Sequence, residues 1–321
     1  MSTTSSSTAG GPRVAVLTRS APGKNPVPLF LDMIKVSHTL FALPFAIGAT
    51  FLAARGLEHS PSNLFLLLVK VVLAVFLART AAMAFNRWAD RHIDGKNPRT
   101  DERAIPSGRL SPGFVLATVF VAAGGFVAAA AWINPLAMKL SPIVLVVILA
   151  YSYSKRFTSL CHLILGAGLG LAPVGAWVAV RGTLTSDGNF IWTPWLLGIA
   201  VMLWTAGFDI LYSTLDRDFD REHRLHSAPA LLGISAALNL SRLLHLGMTL
   251  CLLALWWVST LGAIFLAAAI ATAGLLFYQH RIVRPDDLEQ VQRAFFTLNA
   301  VISTLLMVAL VLEFVVGGGG V

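Results

Sequence analysis

Apolar runs of about twenty residues recur some nine times along this chain, and no other feature limits its fold as strongly. The hydrocarbon core of a bilayer has no water to satisfy backbone N–H and C=O groups. A segment that crosses it must close its hydrogen bonds internally, as an α-helix does. The runs fall near residues 35–54, 64–86, 113–133, 138–154, 162–181, 193–215, 240–258, 260–280 and 295–315. A hydrophobic fraction of 56% against 12% charged residues, with a mean hydropathy of +0.73, excludes an ordinary soluble domain. The expected class is all-α, a polytopic membrane protein of about nine transmembrane helices. The short turn near Thr260–Gly262 makes the seventh and eighth spans the hardest pair to separate.

The basic residues set the expected orientation. With the N-terminus in the cytoplasm, 19 of the 24 Lys and Arg lie on the cytoplasmic side, among them Arg13, Arg19, Lys24, Lys35, Arg87, Arg103, Lys155, Arg217, Arg284 and Arg293. Only Arg55, Lys139 and Arg181 lie opposite, while Lys70 and Arg79 fall inside a span. This is the positive-inside pattern. Residues 1–27 are rich in Ser, Thr, Gly and Pro and read as a disordered tail without the apolar core of a secretory signal. Residues 28–316 then form one membrane domain, and 317–321, with the run Gly317–Gly320, a flexible C-terminal tail.

A formal charge of +8 is spread over membrane loops and carries no nucleic-acid-binding motif, so no nucleic-acid partner is expected. Cys161 and Cys251 form no metal or disulfide pattern and read as small buried residues. His38, His162 and His226 lack ligand spacing and are assigned structural roles. Gly166, Gly168 and Gly170 suit close helix packing, and Trp256 and Trp257 an interfacial belt. Asp187 and Asp218 are read as solvated.

Polarity concentrates in two acidic ladders, Asn86-x3-Asp90-x3-Asp94 and Asp209-x2-Tyr212-x3-Asp216-x3-Asp220. Residues four apart on a helix lie one turn up on nearly the same face, so each ladder is a stripe of carboxylates. Such groups beside membrane spans mark function. Lys96, Arg99 and Arg103 follow the first ladder; Arg221, His223 and Arg224 follow the second; and Tyr151-Ser152-Tyr153-Ser154-Lys155-Arg156 separates the fourth and fifth spans. Carboxylates and cations on one membrane face match the needs of a Mg²⁺–diphosphate complex.

The stretches NRWADRHIDGKNPRTDERAIPSG and FDILYSTLDRDFD, together with YSYSKR, resemble the signatures of the UbiA superfamily of membrane prenyltransferases, and the resemblance covers nearly all of the chain after Ile34. It implies helices around a central cavity, Mg²⁺ as cofactor and transfer from a polyprenyl diphosphate to an acceptor. Carried onto this sequence, it implies metal binding by Asn86, Asp90, Asp94, Asp209, Asp216 and Asp220, with Asp90, Asp216 and Lys155 catalytic. It also implies diphosphate contacts from Arg103 and Arg99, and an acceptor carboxylate held by Arg79, two turns before Asn86. Tyr212 joins the substrate-binding set. HTLFALPFA and LHSAPALLG resemble the 4-hydroxybenzoate-type branch, in respiratory-quinone synthesis, whereas Asn86-Arg87 in place of Asn-Asp keeps 1,4-dihydroxy-6-naphthoate open as the acceptor. By resemblance the location is the bacterial inner membrane, with the site cytoplasmic and no protein partner specified. The alternatives are a family member acting on another lipid acceptor and, from a different class, a cation- or proton-coupled transporter.

Overall fold

The computed structural model describes residues 26–34, 39–58, 60–283, 291 and 294–317. Residues 1–25, His38 and residues 318–321 lie outside the described residues, as do Lys35, Arg284 and Arg293. Among the described residues the regular structure is helical apart from a hairpin of two-residue strands, β1 (Thr185–Ser186) with β2 (Asn189–Phe190). A short α1 (Pro26–Met33) precedes α2 (Thr39–Ala54), α3 (Pro61–Ala89) and a single turn, α4 (Arg91–Asp94). Next come α5 (Pro112–Ile133), α6 (Pro135–Ser154), α7 (Cys161–Arg181), α8 (Trp192–Ser213) and the short α9 (Arg217–Glu222) and α10 (Ala228–Leu232). The chain closes with α11 (Ile234–Val258), α12 (Ala263–Ile282) and α13 (Asn299–Val316).

Among the described residues, eight helices are long and apolar enough to cross a membrane, and the seventh and eighth expected spans separate cleanly as α11 and α12. Of the first expected span, the described residues show α2 from Thr39 to Ala54, 16 residues, about 24 Å at 1.5 Å each.

Helix starts follow local chemistry. Ser60, Ser111 and Asn134 cap α3, α5 and α6 through their side chains, each with a proline in the first turn. The start of α12 has no cap of its own. Glu313 of α13 accepts from the N–H groups of Gly262 and Phe265 at 2.8 and 3.0 Å, which accounts for a buried acid deep in the fold.

Helix α8 packs on both α7 and α11, α2 on α7 and α13, and α3 on α5. The α7–α8 contact is backbone against backbone. A Cβ at Gly166 would meet the carbonyl of Met202, and one at Gly170 would meet the carbonyl of Gly198. Gly168 points the other way and lines a cavity, so two of the three expected packing glycines serve this contact. The main core, with Phe45, Trp204, Met248, Phe265 and Ile302, fills the space between α2, α8, α11, α12 and α13. A Gly170→Leu exchange must separate α7 from α8. We expect a loss of about 1–3 kcal/mol, measured as a lower thermal-unfolding midpoint in detergent; an unchanged midpoint would refute the contact.

Candidate active site

Both ladders lie where the apolar runs stop, and both reach the same end of the bundle. The first crosses the break between α3 and α4 at Asp90, yet the Asp90 N–H still reaches the Asn86 carbonyl and the Asp94 N–H the Asp90 carbonyl, at 2.9 and 2.8 Å. The second is broken. After Ser213 the chain tightens into one 3₁₀ turn, Thr214–Asp216, before α9 begins. Its carboxylates therefore do not form one straight stripe: Asp209 lines the cavity, while Asp216 meets the loop that follows the first ladder.

Arginine holds three of the acids. Asp90 Oδ1 pairs with Arg156 Nη2 at 2.9 Å, and Asp94 Oδ1 pairs with Arg103 Nη1 at 2.7 Å. Asp216 receives Arg99 through Nε at 2.8 Å and through Nη2, a two-pronged pair, and also receives Asn97 Nδ2 at 3.0 Å. Arg99 further donates to the Tyr212 hydroxyl at 3.0 Å. Burial opposes the Arg99 charge, but the hydrogen bond and charge of Asp216, reinforced by Tyr212, raise its affinity for its proton above the ordinary guanidinium range. Asn86 donates to Asp90 Oδ2 at 3.1 Å.

Asp209 has a different partner. His162 Nδ1 stands 2.7 Å from Asp209 Oδ2, and His162 Nε2 accepts from the Ala228 N–H at 3.1 Å. An accepting Nε2 carries no proton, so Nδ1–H is the donor to Asp209. Lys155 makes no ion pair among the described residues, but it lies within electrostatic range of Asp216 and Asp220. Its carbonyl accepts the His226 N–H at 2.7 Å, tying the loop after the second ladder to the end of α6. Asp220 is buried at the start of α9.

Beneath this polar end lies an apolar cavity of about 430 Å³ between α2, α3, α5, α6, α7 and α8. Its walls include Phe41, Val75, Val147, Leu169 and Phe208, and its polar groups include Arg79, Tyr151 and Asp209. Arg79 thus faces the cavity, as its spacing from Asn86 predicts, with Nη1 3.4 Å from the Ile34 carbonyl.

The geometry brings the expected acids together with Arg99, Arg103, Lys155 and Tyr212. Arg156 and Asn97 were not singled out from sequence, and His162 was assigned a structural role without its partner. Arg156 and Asn97 sit beside quoted residues, but nothing in the spacing of His162, 47 positions from Asp209, signals their contact. The donor set fits a hard divalent cation. The ladders offer oxygen ligands, and Asp94 Oδ2 is a buried carboxylate oxygen without a hydrogen-bond partner. Among the described residues, no three carboxylate, imidazole or thiol groups converge on one point, so protein oxygens alone do not complete a coordination shell.

Fold and site together define an integral membrane protein that opposes an apolar cavity to a charged, oxygen-rich cap. The chain belongs to the UbiA prenyltransferase family, whose pattern matches residues 42–301. Among similar proteins, the 4-hydroxybenzoate octaprenyltransferase of Aeromonas hydrophila is 33% identical over 281 residues, 86% of this chain and 92% of its own length. The enzyme of the same name from Tolumonas auensis is 34% identical over 266 residues, covering 81% of this chain and 87% of its own. The apo structure of a UbiA homolog from Aeropyrum pernix superposes with a TM-score of 0.73 at 32% identity, over 88% of this chain and 98% of that one. An Archaeoglobus fulgidus homolog solved with DMAPP and Mg²⁺ shares the fold, with a TM-score of 0.67 at 16% identity over 89% of this chain and 99% of that one.

Replacing His162 by Ala leaves Asp209 Oδ2 and the Ala228 amide without these partners. The expected cost is about 1–3 kcal/mol, observable as a lower unfolding midpoint of the purified protein. A midpoint equal to that of the parent would mean that His162 does not hold Asp209.

Proposed function

We propose that the protein transfers a polyprenyl group from polyprenyl diphosphate to an aromatic carboxylic acid of the 4-hydroxybenzoate type in respiratory-quinone synthesis. One observation carries this reading: Arg79 and Asp209, a residue of the second ladder, line the same apolar cavity. An apolar chain with a diphosphate head and a flat acid fit these surroundings together. The names of the Aeromonas and Tolumonas relatives support the acceptor class. The Asn86-Arg87 pair leaves a second acceptor, 1,4-dihydroxy-6-naphthoate, which presents the same carboxylate on a larger electron-rich ring.

Asn86, Asp90 and Asp94 on one side, and Asp209, Asp216 and Asp220 on the other, would hold Mg²⁺ between protein and diphosphate oxygens. When bound, Mg²⁺ neutralises the negative charge that grows on the diphosphate as the carbon–oxygen bond breaks. Lys155, Arg99 and Arg103 add fixed positive charge at the same place. The bonding pair leaves with the diphosphate, and the allylic carbon becomes cation-like. Arg79 holds the acceptor carboxylate so that the ring carbon meets that centre. A ring π-pair forms the new carbon–carbon bond, and loss of the ring proton restores aromaticity. Arg156, Arg103 and Arg99 pair with Asp90, Asp94 and Asp216 and so set the positions of these carboxylates. The positive-inside pattern supports a cytoplasmic site in a bacterial inner membrane.

The test is a mass-spectrometric assay of membranes carrying the protein, supplied with Mg²⁺, polyprenyl diphosphate and the two acids in competition. One prenylated acid is expected, and none without Mg²⁺; no product from either acid with folded protein would overturn the reading. Asp90→Ala and Asp216→Ala should each lower turnover at least about 10²-fold while the protein stays membrane-inserted, and near-normal rates would reject their roles. Arg79→Ala should raise the KM for the acid roughly 10- to 100-fold, on the scale of a lost charged hydrogen bond. A change confined to diphosphate kinetics would disprove the carboxylate clamp.

A further inference from the structure

At the end of the bundle away from the ladders, α2, α7 and α11 finish around a second pocket of about 340 Å³. Its walls include Arg55, Arg181, Thr193, Trp177 and Phe314, with no acidic residue among them. Of the three cations that the topology assigns to this side, two therefore meet in one cavity. They are adjacent: Arg181 donates through Nε to the Ala53 carbonyl and through Nη2 to the Arg55 carbonyl, both at 2.6 Å. Arg55 donates to the carbonyls of Ser259 and Thr260 at 3.2 and 3.4 Å.

Capping of helix ends explains part of this arrangement but not all of its charge. A helix C-terminus carries about half a negative elementary charge, so the ends of α2, α11 and α13, whose Phe314 and Gly317 also line the pocket, offset roughly one and a half of the two positive charges. The last carbonyls of α7 are served by Asn134. Both oxygens of the nearby Glu313 are taken by the start of α12. The start of α8, where Thr193 lies in its first turn, adds positive potential to the same cavity. Thr193 accepts from Ser259 Oγ at 3.2 Å, so its own hydroxyl hydrogen stays available as a donor. The pocket thus gathers hydrogen-bond donors from two guanidinium groups and one hydroxyl, with no acidic side chain in its wall.

Its position identifies the source of the anion. Phe190 and Trp192 in the hairpin region and Trp257 at the end of α11 are exposed at this same end. Exposed aromatic residues at helix ends mark the headgroup level of a bilayer. We infer that the Arg55–Arg181 pocket binds the phosphate headgroup of an anionic phospholipid, on the membrane face opposite the prenyl-transfer site.

The purified protein, held in phosphatidylcholine nanodiscs, is titrated with phosphatidylglycerol. Retained lipid is counted by native mass spectrometry, and the unfolding midpoint is measured alongside. Phosphatidylglycerol should stay bound and raise the midpoint, and Arg55→Gln combined with Arg181→Gln should lose both effects. Lys139→Gln, which removes the third, exposed cation of that side, should keep both. Because the double variant also loses helix-end contacts, Thr193→Glu provides a second arm. It leaves both arginines in place, puts an acid at a helix start where acids are tolerated, and should abolish lipid retention. Equal retention by parent, double variant and Thr193→Glu would overturn the site. Equal stabilisation by inorganic phosphate alone would overturn the headgroup assignment in favour of a free oxyanion.

Discussion

The approach of α7 to α8 through Gly166, Gly170 and Gly198 fixes more of this molecule than any other contact. With no side chain between the two backbones, the helices have one register available, and that register sets His162 at the start of α7 against Asp209 near the end of α8. Helix α8 in turn carries the second ladder, backs the cavity with Phe208 and Thr205, and supports α11 on its other side. A side chain at any of these glycines would act on the chemistry at a distance, through the placement of Asp209.

The bilayer explains why the charged groups lie where they do. Inside the hydrocarbon, helices satisfy their own backbone and tolerate few charges. Irregular backbone and paired ions are therefore confined to the ends, and the two ends have been put to different uses. One gathers acids and guanidinium groups above an apolar cavity. The other gathers arginines against carbonyls. Arg79 is the exception that joins the layers, a cation within a span whose wall is otherwise apolar on the cavity side.

Much of this could be read from the chain. The apolar runs gave α3, α5 to α8, α12 and α13 close to their observed limits, because the length of a membrane span is set by the bilayer rather than by tertiary detail, whereas α11 begins six residues before its expected start. The first run ends at Ala54 as expected, and its start falls outside the described residues. Spacing four apart also found the first ladder, whose four-residue hydrogen bonds bridge the break at Asp90. It misread the second, where a 3₁₀ turn at Thr214–Asp216 changes the rotation per residue and turns Asp216 toward Arg99. The arginine and histidine partners were hidden for a related reason. Periodicity compares residues on one element, whereas Arg156 finds Asp90 across 66 positions and His162 finds Asp209 across 47. Only the packing of separate helices makes those pairs.

The pairing of Asp216 with Arg99 and Asn97 spans as many as 119 positions of sequence, and in mutational terms it makes a loop and a helix end one unit. A drift of Asp216 to a neutral residue strands a guanidinium group, and a drift of Arg99 strands a carboxylate. Because both residues also stand in the proposed site, neither change is relieved by the other, and loop and helix end are expected to stay fixed together across descendants of this chain.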